Sequence, residues 1–122
     1  MSRSLSNAHV RVSLREANNY ASYLIQLQHY AEARSLLRRT IPVAQRVRGK
    51  GDNNTLRLSL SYAKALYKDD DATLDDIRKA VTTLEDAERI ARRVFGGAHP
   101  TTTGIDIQLQ HARAALRARE SP

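Results

Sequence analysis

Residues 91–104, ARRVFGGAHPTTTG, gather arginines, a Gly-Gly pair, a His-Pro step and three threonines in one short stretch. Guanidinium groups, hydroxyls and the open N–H groups of glycines are what an anion needs, so phosphate binding is the first chemistry to weigh. Gly49, Lys50 and Gly51 raise the same question. A phosphate-cradling loop of the G-x-x-x-x-G-K-S/T type leaves a strand and ends in a hydroxyl. Here the glycines follow a helical pattern and no Ser or Thr comes after Lys50, so both stretches read as turns. The histidines His9, His29, His99 and His111 fall at no metal-ligand spacing: none pairs at i,i+4 and none joins a His/Glu zinc pattern. Asp69, Asp70 and Asp71, and the pair Asp75/Asp76, lack the twelve-residue calcium-loop pattern. They read as a solvated loop and as acids complementing a helix start. No nucleophile stands in an arrangement with a base. The sequence reads as non-enzymatic, with no catalytic, cofactor-binding or metal-ligating residue to assign.

Composition narrows the class. A chain of 122 residues is one domain's worth and long enough for a real core. Ala, Leu and Arg dominate, all helix formers, and five glycines with three prolines are too few for a strand-and-turn protein. The lack of cysteine excludes a disulfide framework and Cys-ligated zinc or iron–sulfur sites, and fits a reducing compartment. No apolar run approaches the roughly 18 residues that span a bilayer. The net charge of +7 favours an acidic partner: nucleic acid, an anionic membrane surface or an acidic peptide. The opening MSRSLSNAHVRVSLR is Ser/Arg-rich with no acid before Glu16, faintly similar to an organelle transit peptide, yet it also begins a helical apolar pattern. A cytoplasmic location is expected, with an organelle as the alternative if this start belongs to a targeting segment.

The elements that carry these residues follow from a repeat. Residues 43–55, VAQRVRGKGDNNT, match residues 90–102, IARRVFGGAHPTT, at a constant offset that carries Ala44, Arg46, Val47, Gly49 and Thr55 onto Ala91, Arg93, Val94, Gly96 and Thr102. Upstream, Tyr20, Ala21 and Leu24 match Tyr62, Ala63 and Leu66 at an offset shorter by five residues, which an insertion around KDDDATLDD at 68–76 accounts for. The glycine motif is thus a recurring corner between helices. Gly49 and Gly96 stop one helix, Pro100 fits the first position of the next, and Asp52 or Asn53 caps the one after Gly49. Apolar spacing then predicts five helices over about 8–28, 30–48, 53–68, 74–95 and 101–119. Val10, Leu14, Ala17, Ala21 and Leu24 form the stripe of the first. Thr73 and Asp76 form a T-x-x-D capping box, and Asp75–Lys79, Glu85–Arg89 and Glu88–Arg92 are acid-before-base pairs at i,i+4. Pro42 is discordant and should kink the second helix near Arg38. Ala21, Ala63 and Ala112 are expected at close helix contacts, and Tyr20, Tyr30 and Tyr62 in the core, with Tyr23 and Tyr67 more open.

Helices alternating at a period of about 40 residues mean hairpins stacked in a solenoid. ANNYASYLIQLQHYAEARSLL at 17–37, followed by VRGKGDNNT and VFGGAHPTT, resembles the long tetratricopeptide repeat of kinesin light chains and similar proteins. In that family an N-N-L-A-type helix leads to a y-x-E-A second helix, which ends in a G-x-x-H-P-x-T corner. Gln28 departs from it, standing where the family has a turn glycine, as do Pro42 and the KDDDATLDD insertion. The resemblance implies an all-α, right-handed antiparallel helix-hairpin solenoid over residues 1–122. Repeat 1 runs over about 8–52, repeat 2 over about 53–99, and a half repeat over about 100–119.

The same resemblance implies where a partner binds. First helices line the concave face, which carries over to Arg15, Asn18, Asn19 and Ser22, then Arg57, Ser61, Lys64 and Lys68, then Gln110, Arg113 and Arg117. Asn19 matches the family asparagine that bonds a peptide backbone, and the cations would draw carboxylates. Arg34, Arg38, Arg39 and Arg46 fall on the convex side as solvated charges. The function expected is a scaffold binding an acidic or polar peptide or partner subunit. The alternatives are a nucleic-acid-binding subunit, less favoured because no nucleic-acid motif is present, and a purely structural subunit of a large assembly. Two and a half repeats leave open edges, so a second copy or another chain is expected against helix 5 or helix 1.

Overall fold

Each helix stops and starts on a local signal. In a computed structural model the chain forms α1 (Arg3–Gln26), α2 (Tyr30–Arg48), α3 (Asn53–Tyr67), α4 (Leu74–Phe95) and α5 (Pro100–Glu120). The structure describes the backbone of residues 3–121 and the side chains of residues 14–121. Val10 and most of the transit-peptide-like opening therefore lie outside the described side chains. Gly49 (φ 92°) and Gly96 (φ 87°) end α2 and α4 in the positive-φ region that excludes a β-carbon. Asp52 caps α3 by accepting from the Asn54 and Thr55 N–H groups. Thr73 and Asp76 close the capping box that starts α4, and the His99 ring accepts from the Thr101 N–H to start α5 behind Pro100. The corner between α1 and α2 has no glycine. Gln28 takes φ 63°, its N–H bonded to the Ile25 carbonyl and that of His29 to the Leu24 carbonyl. That double bond is the Schellman arrangement, with Gln28 at the left-handed site.

The five helices pack in sequence, with no strand among the described residues. Each touches the next, and α3 also touches α1 and α5, whereas α2 and α4 stay apart. Leu37, Leu56, Leu58, Leu84 and Ile105 fill the centre of the core. Ala21, Ala63 and Ala112 are fully buried, as the spacing predicts. Small side chains there let helices approach closely, so the buried stripe of one fits against its neighbour.

Polar bonds report the helix directions. Arg34 of α2 reaches the Ala65 carbonyl (3.0 Å) and Asp69 (2.9 Å), and Thr55 donates to the Ala44 carbonyl (3.5 Å). Early α2 thus meets late α3 and late α2 meets early α3, so the two run antiparallel. Between α3 and α5, Thr101 bonds Asn53 at the two starts, and Tyr67 at the end of α3 bonds Gln108 further along α5, so these two run parallel. Between α4 and α5 stand three ion pairs: Arg92–Asp106 (3.1 Å), Arg113–Glu85 (3.0 Å) and Arg78–Glu120 (3.5 Å). Seven residues back along α4 matches seven forward along α5, a ladder that fixes the antiparallel register.

Several expectations change. Tyr20 is 53% exposed, although its repeat mate Tyr62 is buried. Tyr62 lies between α2 and α4, and no described second helix flanks α1 on the corresponding side. Of the three i,i+4 pairs only Glu88–Arg92 forms (2.6 Å). Asp75 pairs with Arg78 and Arg89 with Asp86, both at i,i+3, and Glu85 reaches across to α5. α2 continues as one helix through Pro42, and a kink of the kind expected near Arg38 is compatible with that. Asp69 is not a solvated loop acid. The Asp71 N–H and the Arg34 guanidinium hold its carboxyl below the usual range, and it ties the α3–α4 turn to α2.

Candidate functional site

The first-helix residues separate into three groups. Asn18 and Ser61 are both buried, and the Ser61 hydroxyl donates to the Asn18 side chain at 3.1 Å. They join α1 to α3, and that bond takes up the Ser61 donor. Arg113 leans toward α4, its guanidinium held by Glu85. The rest are open: Arg15, Asn19, Arg57, Lys68, Gln110 and Arg117 are exposed, and Lys64 is half-buried. Among the described residues none of these open cations makes an ion pair.

Lys64 and Lys68 are one turn apart near the end of α3. Burial among the helices and the neighbouring Lys68 charge both push the Lys64 amine below its usual value. A carboxylate nearby would reverse that push, and among the described residues none lies within ion-pair distance. On the same helix, burial raises the Tyr67 phenol to about 12 while its hydroxyl bonds Gln108.

The other side of α3 carries a feature that the sequence reading passed over. Between α2 and α4, which do not touch, lies a groove of about 370 Å³. Ile41, Leu56, Tyr62, Ala87 and Ile90 contribute its apolar surface. Arg38, Lys50 and Lys79 stand on its rim, and the Lys79 amine lies 5.5 Å from the centre of the Tyr62 ring. Its one carboxylate, Asp86, is bonded to Arg89 at 2.7 Å. Two sequence signals pointed here: a proline inside a helix, and a tyrosine repeated at matched positions. Each was read by itself, because the gap between α2 and α4 is visible only once three helices are placed.

The remaining chemistry is structural. His99 is a helix cap and stacks on Phe95 at 4.4 Å, and His29 sits 3.5 Å from Glu32. Among the described residues no three His, Asp or Glu side chains converge, and no helix is long and apolar enough to cross a membrane. Among the described residues, one side of α3 carries cations without ion-pair partners and the other an apolar groove with a cationic rim. No family model, curated protein or solved structure matches the chain.

Proposed function

We propose that the chain is a non-enzymatic protein-interaction scaffold, a right-handed tetratricopeptide-like solenoid whose first-helix face holds an acidic peptide or partner subunit. The solenoid reading is supported by the parallel run of α3 and α5, the antiparallel neighbours, and the left-handed corner at Gln28, where the family carries glycine. The partner reading is carried by one observation. Lys64 is half-buried beside Lys68, neither has a carboxylate within ion-pair distance among the described residues, and Arg57 is exposed on the same helix. An arriving carboxylate would relieve the repulsion and use charges that are already fixed in place.

The test is titration with a fluorescein-labelled peptide of alternating Glu and Ser. Lys64→Glu combined with Lys68→Glu should weaken binding at least about tenfold, near 1.4 kcal/mol, with helical content retained. Unchanged affinity in that variant sinks the reading. An oligothymidine that binds more tightly, with a steep salt slope, would favour nucleic acid instead.

Assembly has its own support. Tyr20 and Tyr23 on α1 and Leu27 just past its end are exposed at i, i+3 and i+7, and Ile107 is exposed on α5. These are the faces on which a second copy or another chain would lie. Sedimentation that returns a stable monomer across micromolar concentrations would remove the second-copy version.

A further inference from the structure

We infer that the groove between α2 and α4 is a second binding site, which takes an acidic peptide segment through one large apolar side chain. It is independent of the first-helix face, since it opens on the opposite side of α3. The groove volume of about 370 Å³ lies at the lower end of ligand clefts, about 300–1,000 Å³. Its floor is the apolar contact of Ile41, Leu56, Tyr62 and Ile90, where an aliphatic or aromatic side chain leaves water.

The rim selects the charge. Arg38 projects from α2, Lys50 from the α2–α3 turn and Lys79 from α4, so cations surround the floor on three sides. None of them has an ion-pair partner among the described residues, and Asp86 is already neutralised by Arg89. Carboxylates on either side of the apolar anchor would meet these cations at a partly desolvated edge, where charge-assisted hydrogen bonds are strongest.

Pro42 belongs to the apolar wall. Arg38 and Pro42 both line the groove, and α2 continues past them. The pyrrolidine ring carries no N–H, so it adds apolar surface beside the Arg38 cation. An apolar floor and three cations match an acidic peptide with a hydrophobic anchor. A phosphate backbone has no use for the floor, and a fatty acid has one carboxylate for three cations.

The test uses three labelled synthetic hexapeptides with the full chain. One is acetyl-Asp-Glu-Leu-Phe-Asp-Glu-amide; the second replaces Leu-Phe by Ser-Ser; the third replaces the acids by Asn and Gln. The first should bind at least about tenfold more tightly than either control. On its addition, backbone amide shifts should concentrate at Arg38, Ser59, Thr83 and Ile90. Thr83→Trp fills the groove and should abolish that binding, while Lys79→Glu, a surface change, should weaken it at least about tenfold. Lys64→Glu with Lys68→Glu should leave it unchanged, which separates this site from the first-helix face. Equal binding of the three peptides, shifts clustered at Arg57 and Lys64, or full affinity in Lys79→Glu would each overturn the proposal. If Thr83→Trp loses its helical content, Lys79→Glu and the shift map decide alone.

Discussion

At the scale of the residue, Gln28 holds an L side chain in the left-handed region just after α1, where its N–H and that of His29 close the helix. The Thr73/Asp76 box, the Asp52 cap and the positive φ at Gly49 and Gly96 depend on a few neighbouring residues, and the sequence pattern anticipates them. The bonds Asn18–Ser61, Tyr67–Gln108 and Arg113–Glu85 join residues far apart in the chain. Which side chains they match depends on helix registers that no local window contains. Gln28 lies between these cases. Its departure from glycine is plain in the sequence, and the structure shows the cost, an L-residue at φ 63°. Gln28→Gly should therefore stabilise the chain by about 0.5–1 kcal/mol, read as a higher denaturant midpoint; a lower midpoint would mean that the Gln28 side chain contributes more than its backbone costs. Lys64 gives a pH signature. Its pKa in the fold lies below the usual 10.5, so the fold disfavours its charge. That cost is full below the folded value and fades as pH rises toward 10.5, because the unfolded chain binds more protons in that window. Lys64→Met should melt higher than the parent at neutral pH, with the gap closing as pH approaches 10.5. A gap independent of pH would assign the gain to packing instead.

At the scale of the element, periodicity placed all five helices, with ends within about two residues except at the start of α1. It succeeded because each helix buries one strong stripe between clear stops. It was less able to say which stripe faces a neighbour. Tyr20 and Tyr62 occupy matching positions, but burial needs a flanking second helix, and only α3 has one on each side. The alanines are more decisive, since a residue at a close crossing must be small wherever it occurs. Ala63 is fully buried at the centre of α3, the helix that touches every other. Ala63→Leu should overpack that crossing and cost roughly 1–3 kcal/mol by chemical denaturation. A loss well below that range would show that the helices can move apart.

At the scale of the whole molecule, α3 divides the surface into two faces of different chemistry, cations in the open on one and an apolar groove with a charged edge on the other. The sequence showed the excess of positive charge but not this division, because one helix feeds both sides. Holding such faces in place requires that near-identical apolar stripes pair in one alignment only, and the ion pairs between α4 and α5 bear on that. Along α4 the signs run plus, minus, plus at Arg78, Glu85 and Arg92; along α5 they run minus, plus, minus at Asp106, Arg113 and Glu120. Sliding either helix by seven residues sets Arg113 against Arg78 or Arg92, and Glu85 against Asp106 or Glu120. The alternation thus works as a check on misalignment, although each solvent-screened rung adds little stability itself. Exchanging the middle rung, Glu85→Arg with Arg113→Glu, keeps the correct alignment attractive and makes the slipped ones attractive as well. The melting temperature of that variant should barely change while its amide spectrum gains a second set of α4 and α5 signals; a single set would show that the apolar stripes alone reject the slip.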